Sequence, residues 1–124
     1  MKKEYIFFDF SGTIAKMRPG KLLVNVSLLK ELSEKYCLGI VTGGRKSEVN
    51  NILKKFGVAQ IFTKVITADD TRFRKPNPKI ISKLKINTYI GDSKKDEEFA
   101  KNLKVPFFRI NKKYNINQVI RKIK

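Results

Sequence analysis

Short apolar runs alternate along this chain with longer segments in which apolar residues recur every three or four positions. The first run, Tyr5-Ile6-Phe7-Phe8, is continuously apolar, which is typical of a strand buried on both faces at the centre of a parallel sheet. Further strands are predicted at residues 38–41, 64–67, 88–90 and 105–110. The pattern therefore predicts five strands, with the first at the centre of the sheet.

Helices are predicted in the intervals between these strands. The first covers residues 26–35, with Asn25 or Ser27 placed to cap its N-terminus. The others are a helix built on Val49, Ile52, Leu53 and Phe56 and stopped by Gly57, a helix opened by Lys75-Pro76-Asn77-Pro78, a helix over residues 93–103, and a last helix carrying Ile116, Val119, Ile120 and Ile123. Pro19-Gly20 marks a short loop or small hairpin. This alternation predicts an α/β fold, a doubly wound, Rossmann-like, five-stranded parallel sheet with helices on both faces.

Composition changes this picture little. The chain has 124 residues, 41% of them hydrophobic, which suits one domain over residues 1–124 with a core that needs no disulfide. No apolar run approaches the roughly 20 residues of a membrane span, and no secretory signal follows Lys2-Lys3. We therefore expect a cytoplasmic protein without a membrane partner. The single cysteine, Cys37, lies in an apolar run and is interpreted as a small core residue.

The chain is strongly basic, with a formal net charge of +17. From Lys104 to the end there are seven basic residues and no acidic one, so nucleic acid is a candidate partner. The basic residues are nevertheless spread through every segment, without the interleaved aromatic residues of a single-strand binding platform. We therefore favour the interpretation that the charge forms a lysine-rich, solvated surface.

The aspartates, in contrast, are concentrated. All five, at positions 9, 69, 70, 92 and 96, lie at or just after a predicted strand end. Asp9 directly follows the first strand and precedes turn-forming residues, so it is expected at the carboxyl edge of the sheet, where open α/β folds bind ligands. A carboxylate there can attack phosphorus or hold Mg²⁺. An aspartate that only caps the next turn would fit the same short stretch.

The other predicted strand ends bring further polar groups to this edge. Thr42 ends the second strand, Lys75 lies in the loop beyond the third, and Asp92 and Asp96 follow the fourth. Taken singly, Lys75 is typical of a surface lysine and Thr42 of a strand-end cap. Together with Asp9 they supply a nucleophile, a cation, a hydroxyl and two metal-binding carboxylates, which suffice for phosphoryl transfer.

In this order and spacing the residues resemble the four motifs of the haloacid dehalogenase (HAD)-like hydrolases, the superfamily of aspartate-nucleophile phosphatases. The motifs appear as Phe7-Phe8-Asp9-Phe10-Ser11-Gly12-Thr13, Ile40-Val41-Thr42-Gly43-Gly44, Lys75-Pro76-Asn77-Pro78 and Gly91-Asp92-Ser93-Lys94-Lys95-Asp96. Any one of them is weak evidence, but four in order on suitable elements are strong evidence. The resemblance covers residues 5–96 and implies a HAD-type core.

The resemblance also implies a role for each motif residue. Asp9 would be the nucleophile that forms an aspartyl-phosphate, in a Mg²⁺-dependent phosphatase. The groups implied for binding the phosphoryl group are Thr42, the Gly43 N–H and Lys75. The ligands implied for Mg²⁺ are Asp9, the backbone carbonyl of Ser11, Asp92 and Asp96, of which Asp96 is either a ligand or a carboxylate that pairs with Lys75.

The chain departs from the resemblance at Ser11. Family phosphatases usually carry a second aspartate at this catalytic position, as general acid to the leaving group and then general base for water. A hydroxyl does this poorly near neutral pH, and the loss typically costs about 10² to 10⁴ in rate, or about 3 to 5 kcal/mol of barrier. Three interpretations stay open: a slow phosphatase, a hydrolase with another base or substrate assistance, and a non-catalytic module that binds phosphate or a polyanion.

Substrate specificity in the family usually resides in an inserted cap domain. The intervals from Asp9 to Thr42 and from Thr42 to Lys75 are too short to hold one. An uncapped site suits a bulky or macromolecular phosphorylated substrate, or one enclosed by oligomerisation. The arginines near the site in sequence, Arg45, Arg72 and Arg74, either bind an anionic leaving group or are solvated. Transfer of the phosphoryl group to an acceptor other than water is not separated from hydrolysis, and no oligomeric state is set.

Overall fold

The computed structural model describes residues 3–81 and 83–123. Its strands are β1 (Tyr5–Phe8), β2 (Ala15–Lys16), β3 (Lys21–Leu22), β4 (Cys37–Val41), β5 (Phe62–Ile66), β6 (Ile86–Gly91) and β7 (Phe107–Arg109). Its α-helices are α1 (Val26–Lys35), α2 (Lys46–Lys55), α3 (Lys94–Leu103) and α4 (Ile116–Ile123). Two short 3₁₀ turns lie at Ala59–Ile61 and Pro78–Ile80.

Five of the strands form one parallel sheet in the order β5-β4-β1-β6-β7, which confirms the predicted fold class and the central place of β1. Phe7 pairs with Gly39 on one side and with Tyr89 on the other. A Cβ at position 39 would collide with the Phe7 ring, so this large side chain fits only because its neighbour is glycine. The carboxyl ends of β1, β4 and β6 consequently meet at one edge of the sheet.

Alternation of side chains along the strands gives the sheet two buried faces. Ile6 and Phe8 contribute to one core with the apolar faces of α1, α2 and α4. Phe7 and Tyr89 point to the other face, where Phe99 and Ala100 of α3 pack with Ile81. One face is thus covered by three α-helices and the other by a single α-helix and the loop that follows β5.

The prediction of an α-helix opened by Lys75-Pro76-Asn77-Pro78 is wrong. The segment forms only the 3₁₀ turn Pro78–Ile80, which the Asn77 side chain caps by accepting a hydrogen bond from Lys79 N at 2.9 Å. Lys83 then has a φ of +61°, a left-handed conformation that ends any right-handed helix before β6 begins. The chain therefore crosses from β5 to β6 without an α-helix, and this face is covered less completely.

Smaller differences concern element bounds and Cys37. The third strand starts two residues before the predicted 64–67, and the fifth is reduced from 105–110 to Phe107–Arg109, because Pro106 has no N–H for the sheet. Cys37 begins β4 and is only partly buried, so it lies at the margin of the core rather than within it. Helix α1 has the predicted bounds, and Asn25 caps it by accepting from Leu28 N at 3.1 Å.

The intervals from Asp9 to Thr42 and from Thr42 to Lys75 hold only small elements in the described part of the chain. After Asp9 there is the two-stranded hairpin of β2 and β3, as the Pro19-Gly20 signal predicted. After Thr42 there are α2, a 3₁₀ turn and β5. None of the helices within residues 3–81 and 83–123 has the length and apolar composition needed to cross a bilayer.

Candidate active site

Asp9 lies immediately beyond the end of the central strand. Its N–H still donates to Ile90 O at 2.8 Å, so the backbone at Asp9 is held by the neighbouring strand β6. The residue is 8% exposed. After Phe10 the chain turns through Gly12, which has a φ of +83° that side chains rarely tolerate. The side chain of Asp9 is therefore fixed at the edge of the sheet and nearly removed from water.

Lys75 reaches this carboxylate from the loop after β5. Its Nζ donates to Asp9 Oδ1 at 2.7 Å and to Asp96 Oδ1 at 2.8 Å, and it also donates to Val41 O at 3.3 Å. The side chain of Lys75 is 14% exposed, and those of Asp9 and Asp96 are 12% and 1% exposed. One buried cation therefore joins two carboxylates that come from different strand ends.

Asp96 is held in place by several hydrogen bonds. Its Oδ1 accepts from Lys75 and from the Tyr89 hydroxyl at 2.8 Å. Its Oδ2 accepts from the N–H groups of Asp92 and Ser93 and from Ser93 Oγ, while Ser93 Oγ accepts from Asp96 N in a capping box at the start of α3. Both oxygens of Asp96 are thus occupied by protein donors.

Two glycines make room for these carboxylates. A Cβ at Gly12 would collide with the carboxylate of Asp92, and a Cβ at Gly91 would lie 2.5 Å from Cγ of Asp96. Both contacts are closer than a side chain allows. Glycine at these positions therefore lets the turn after β1 and the end of β6 approach the acidic cluster.

Burial and charge shift the pKa values of the acidic groups in opposite directions. Burial, helped by the negative charge of Asp96, raises the pKa of Asp9 from 3.8 to about 7, although the charge of Lys75 opposes the rise. Burial also acts upward on Asp96, but the charge and hydrogen bond of Lys75, with those of Tyr89 and Ser93, lower its pKa below 3.8. The pKa of Tyr89 is raised well above 10 by burial and by the nearby charges of Asp96 and Asp9. Asp96 and Lys75 therefore form the charged pair, and Asp9 is the carboxyl that titrates.

The remaining predicted site residues lie around this cluster. Thr42 is buried at the end of β4, where its Oγ1 accepts from Gly44 N at 3.1 Å. Thr42 and Gly43 line a cavity that Lys75 also lines, so these three groups share one space. Ser11 is exposed in the turn after Asp9 and forms an isolated bridge with Ala15. The structure thus brings Asp9, Lys75, Asp92 and Asp96 into one cluster and Thr42 and Gly43 to its border. Ser11 is exposed two residues after Asp9.

The donor set of the cluster suits a hard divalent cation. One carboxylate oxygen each from Asp9, Asp92 and Asp96 lies within 4.8 Å of the others. Ligands on opposite sides of Mg²⁺ stand about 4 Å apart, so the cluster has nearly the right size. The chain contains no histidine, and Cys37 lies at the far end of β4. Because Asp96 has no free oxygen, Asp9 and Asp92 are the carboxylates with room for a metal ion.

One residue of the cluster was missed by sequence reasoning. Tyr89 is fully buried, and its hydroxyl lies 3.2 Å from Lys75 Nζ and 2.8 Å from Asp96 Oδ1. In the sequence Tyr89 looks like one more apolar residue of a buried strand. The sequence nevertheless carried one indication of its role. A buried tyrosine hydroxyl needs a hydrogen-bond partner, and the Asp92 carboxylate follows three residues later.

Replacing Lys75 by methionine is expected to lower the free energy of unfolding at pH 8 by about 3 to 5 kcal/mol, because two buried carboxylates lose their counter-ion. Urea denaturation in EDTA measures the effect. Lys101→Met, on the exposed surface of α3, is the matched control and should change stability by less than about 0.5 kcal/mol. A loss below 1 kcal/mol for Lys75→Met would contradict the assignment of a buried ion pair.

The metal-free protein is expected to lose stability as the pH rises from about 4 to about 7. In this window the unfolded chain has released the Asp9 proton and the folded chain still holds it. Each rise of one pH unit therefore lowers the free energy of unfolding, and the total loss is limited to about 4 kcal/mol. The lowered pKa of Asp96 acts only below this window, where its contribution is lost as the pH falls. Urea unfolding at pH 5 and pH 8 in EDTA should show the loss in wild type and in the exposed control Asp69→Asn, but not in Asp9→Asn. Equal slopes in all three proteins would refute the assignment.

Comparisons with known proteins concern the family and the fold of the chain. A sequence model described as haloacid dehalogenase-like hydrolase matches residues 25–110. The chain is similar to a HAD phosphatase from Thermococcus onnurineus, with 20% identity and a TM-score of 0.81 over 99% of this chain and 97% of that one. It is also similar to the core domain of a proposed phosphoglycolate phosphatase from Streptococcus pneumoniae, with 26% identity and a TM-score of 0.71 over 99% and 96% of the two chains.

A third similar structure is that of a proposed HAD hydrolase from Bacillus subtilis, which is described as bound to magnesium. It is 14% identical, with a TM-score of 0.74 over 94% of this chain and 92% of that one. No curated protein sequence matches the chain at a significant level. The sequence match covers more than half of the chain and begins after Asp9.

Proposed function

Since the chain belongs to the haloacid dehalogenase-like hydrolases, we propose that it is a Mg²⁺-dependent phosphomonoester hydrolase that acts through Asp9. The observation that carries the proposal is the position of Lys75, whose Nζ lies 2.7 Å from Asp9 Oδ1 and 2.8 Å from Asp96 Oδ1. A nucleophilic carboxylate beside a fixed cation is the arrangement that phosphoryl transfer needs.

In the first step Asp9 attacks the phosphorus atom of the substrate. Lys75 Nζ stays beside this carboxylate through its hydrogen bond to Oδ1. A bond forms between Asp9 and phosphorus, the bond from phosphorus to the ester oxygen breaks, and the leaving oxygen takes a proton from water. The product is an aspartyl-phosphate on the chain itself.

In the second step water attacks the phosphorus of the aspartyl-phosphate, which releases inorganic phosphate and restores Asp9. The exposed hydroxyl of Ser11 is a poor base for this water, so we propose that both proton transfers go through solvent and that turnover is slow. Lys75, Thr42 and the Gly43 N–H bind the equatorial phosphoryl oxygens in both steps.

Asp96 and Tyr89 act on Lys75 and do not touch the substrate. Their hydrogen bonds hold Nζ at one point beside Asp9. Asp9 and Asp92 are the residues that would hold Mg²⁺, with the Ser11 carbonyl as a further ligand. When bound, Mg²⁺ would neutralise charge on the phosphoryl group.

We propose further that residues 1–124 work as one uncapped HAD-type core domain. In the described part of the chain, the interval after Asp9 holds the hairpin of β2 and β3 and helix α1, and the interval after Thr42 holds α2, a 3₁₀ turn and β5. Without a cap, the shape of the site itself has to select the substrate.

Phosphate release from 4-nitrophenyl phosphate is expected to require Mg²⁺ and to stop in EDTA. Asp92→Asn removes one metal-binding carboxylate and should reduce release by about 10-fold to 100-fold at limiting Mg²⁺. Asp69→Asn, an exposed aspartate on the loop after β5, is the matched control and should behave as wild type. Release that is equal with Mg²⁺ and with EDTA would overturn the metal dependence.

A broader screen separates the enzyme from the alternative module. Sugar phosphates, nucleotides, phosphoamino acids and phosphorylated oligonucleotides should include at least one substrate that is hydrolysed. If folded protein hydrolyses none of them but binds oligonucleotides with a steep salt dependence, the phosphate- or polyanion-binding alternative replaces the hydrolase.

A further inference from the structure

A cavity of about 210 Å³ lies beside the acidic cluster, on the face of the sheet that α3 covers. Its apolar lining residues are Val41, Ile66, Phe73 and Ile80. The proposed phosphoryl-binding residues Thr42, Gly43 and Lys75 also line it. The cavity therefore borders the place where a phosphoryl group would be bound.

Lys75 connects this cavity with Asp9. It lines the cavity, and the same Nζ that contacts Asp9 Oδ1 at 2.7 Å lies 3.3 Å from the carbonyl of Val41, another lining residue. A phosphoryl group bound by Lys75 and Thr42 would therefore lie next to this space.

The described residues of the crossover from β5 to β6 form no α-helix, and residues of this loop line the cavity together with Val41 and Ile66. The loop itself is held by its own hydrogen bonds. Arg74 Nη1 donates to the carbonyls of Thr71 and Phe73 at 2.7 and 3.0 Å, and Phe73 N donates to Thr71 Oγ1 at 3.1 Å. The outer wall is thus a formed surface.

Size and charge restrict what the cavity can hold. Drug-sized ligands occupy pockets of about 300–1,000 Å³. This smaller cavity therefore suits an organic group of about the size of one aromatic ring. The lining contains three cationic residues, Arg74, Lys75 and Lys95, and no carboxylate. A neutral or anionic organic group is therefore favoured over a cationic one.

We infer that the cavity is the leaving-group site of the proposed hydrolase and that its substrates are small aryl phosphomonoesters, neutral or anionic in their organic part. This inference rests on the proposed function. The aromatic ring of the substrate packs against Phe73 and Ile80, while Lys75 and Thr42 hold the phosphoryl group. Specificity then comes from this apolar pocket and does not require a cap.

Calorimetric titration with two phosphonates, which cannot be hydrolysed at their P–C bond, tests the inference. In Mg²⁺ buffer, phenylphosphonate should bind wild type at least about 10-fold more tightly than methylphosphonate, because only the ring reaches the apolar walls. Ile80→Phe fills the cavity and should remove this preference. Ile61→Phe is the matched control, since Ile61 is also a half-buried isoleucine of a 3₁₀ turn but lies outside the cavity.

The outcomes separate the two proposals. Equal affinity for the two phosphonates in wild type, or an unchanged preference in Ile80→Phe, overturns the leaving-group site even where phosphate release is observed. A ring preference that Ile80→Phe abolishes and Ile61→Phe retains supports the site. If that preference is present but no phosphomonoester is hydrolysed, the hydrolase proposal fails and the cavity is a binding site only.

Discussion

Replacing Asp9 by asparagine is expected to lower Mg²⁺-dependent phosphate release by a factor on the order of 10⁴ or more. An amide oxygen does not form an acyl phosphate that water can hydrolyse in the same way, so the reaction loses its covalent route. Asparagine has the size of aspartate and keeps an oxygen that accepts from Lys75. It also removes the buried carboxyl whose pKa is raised to about 7, so the variant is expected to be folded and, without metal, at least as stable as wild type above pH 7.

The measurement combines steady-state phosphate release with mass spectrometry of acid-quenched protein. Wild type should show a phosphoryl adduct on the peptide that contains Asp9, and Asp9→Asn should show none. Asp69→Asn serves as the control for loss of an acidic side chain elsewhere. An Asp9→Asn protein that retains more than a tenth of wild-type turnover would exclude Asp9 as the nucleophile.

Restoring a carboxylate at position 11 is expected to increase kcat by about 10² to 10⁴. Ser11 is exposed at the turn that begins next to Asp9, so an aspartate there stays hydrated and ionised and can exchange protons with the leaving oxygen and with water. The gain corresponds to about 3 to 5 kcal/mol of barrier. The pH profile of kcat for Ser11→Asp should also show an additional ionisation that wild type lacks, because the rate of the variant depends on the ionisation of the new carboxyl group.

Ser11→Asn is the matched control, because it has the size of the aspartate without its acid or base function. It should leave kcat within about threefold of wild type. If Ser11→Asp folds, binds Mg²⁺ and shows neither a faster rate nor the additional ionisation, then proton transfer does not limit turnover and the proposed role of position 11 is wrong.

Much of the framework was predictable from the sequence because it depends on local patterns. The continuous run at Tyr5-Ile6-Phe7-Phe8 predicts a buried parallel strand, and β1 is the central strand of the sheet. Leucines at helical spacing predict α1 to the residue. Asp9 and Asp92 follow strands of the same sheet direction, so their meeting at one edge follows from the topology.

The segment after Lys75 shows why other features were not predictable. Proline in a first helical turn is compatible with an α-helix, but Lys83 adopts a left-handed conformation that no residue pattern indicated. The cavity beside Val41 and Ile66 is lined in part by this loop. The role of Tyr89 was likewise not predictable from the sequence. Its hydroxyl forms hydrogen bonds with Lys75 and Asp96, which the fold brings to it from other parts of the chain.

The sequence by itself determined the α/β architecture and the set of side chains delivered to the carboxyl edge of the sheet, since strand and helix periodicity are encoded in neighbouring residues. The tertiary structure alone decided which carboxylate pairs with Lys75, which one titrates near neutral pH and which space beside them is empty. Those properties depend on desolvation and on distances between atoms far apart in the chain, and such distances are fixed only when the whole core has packed.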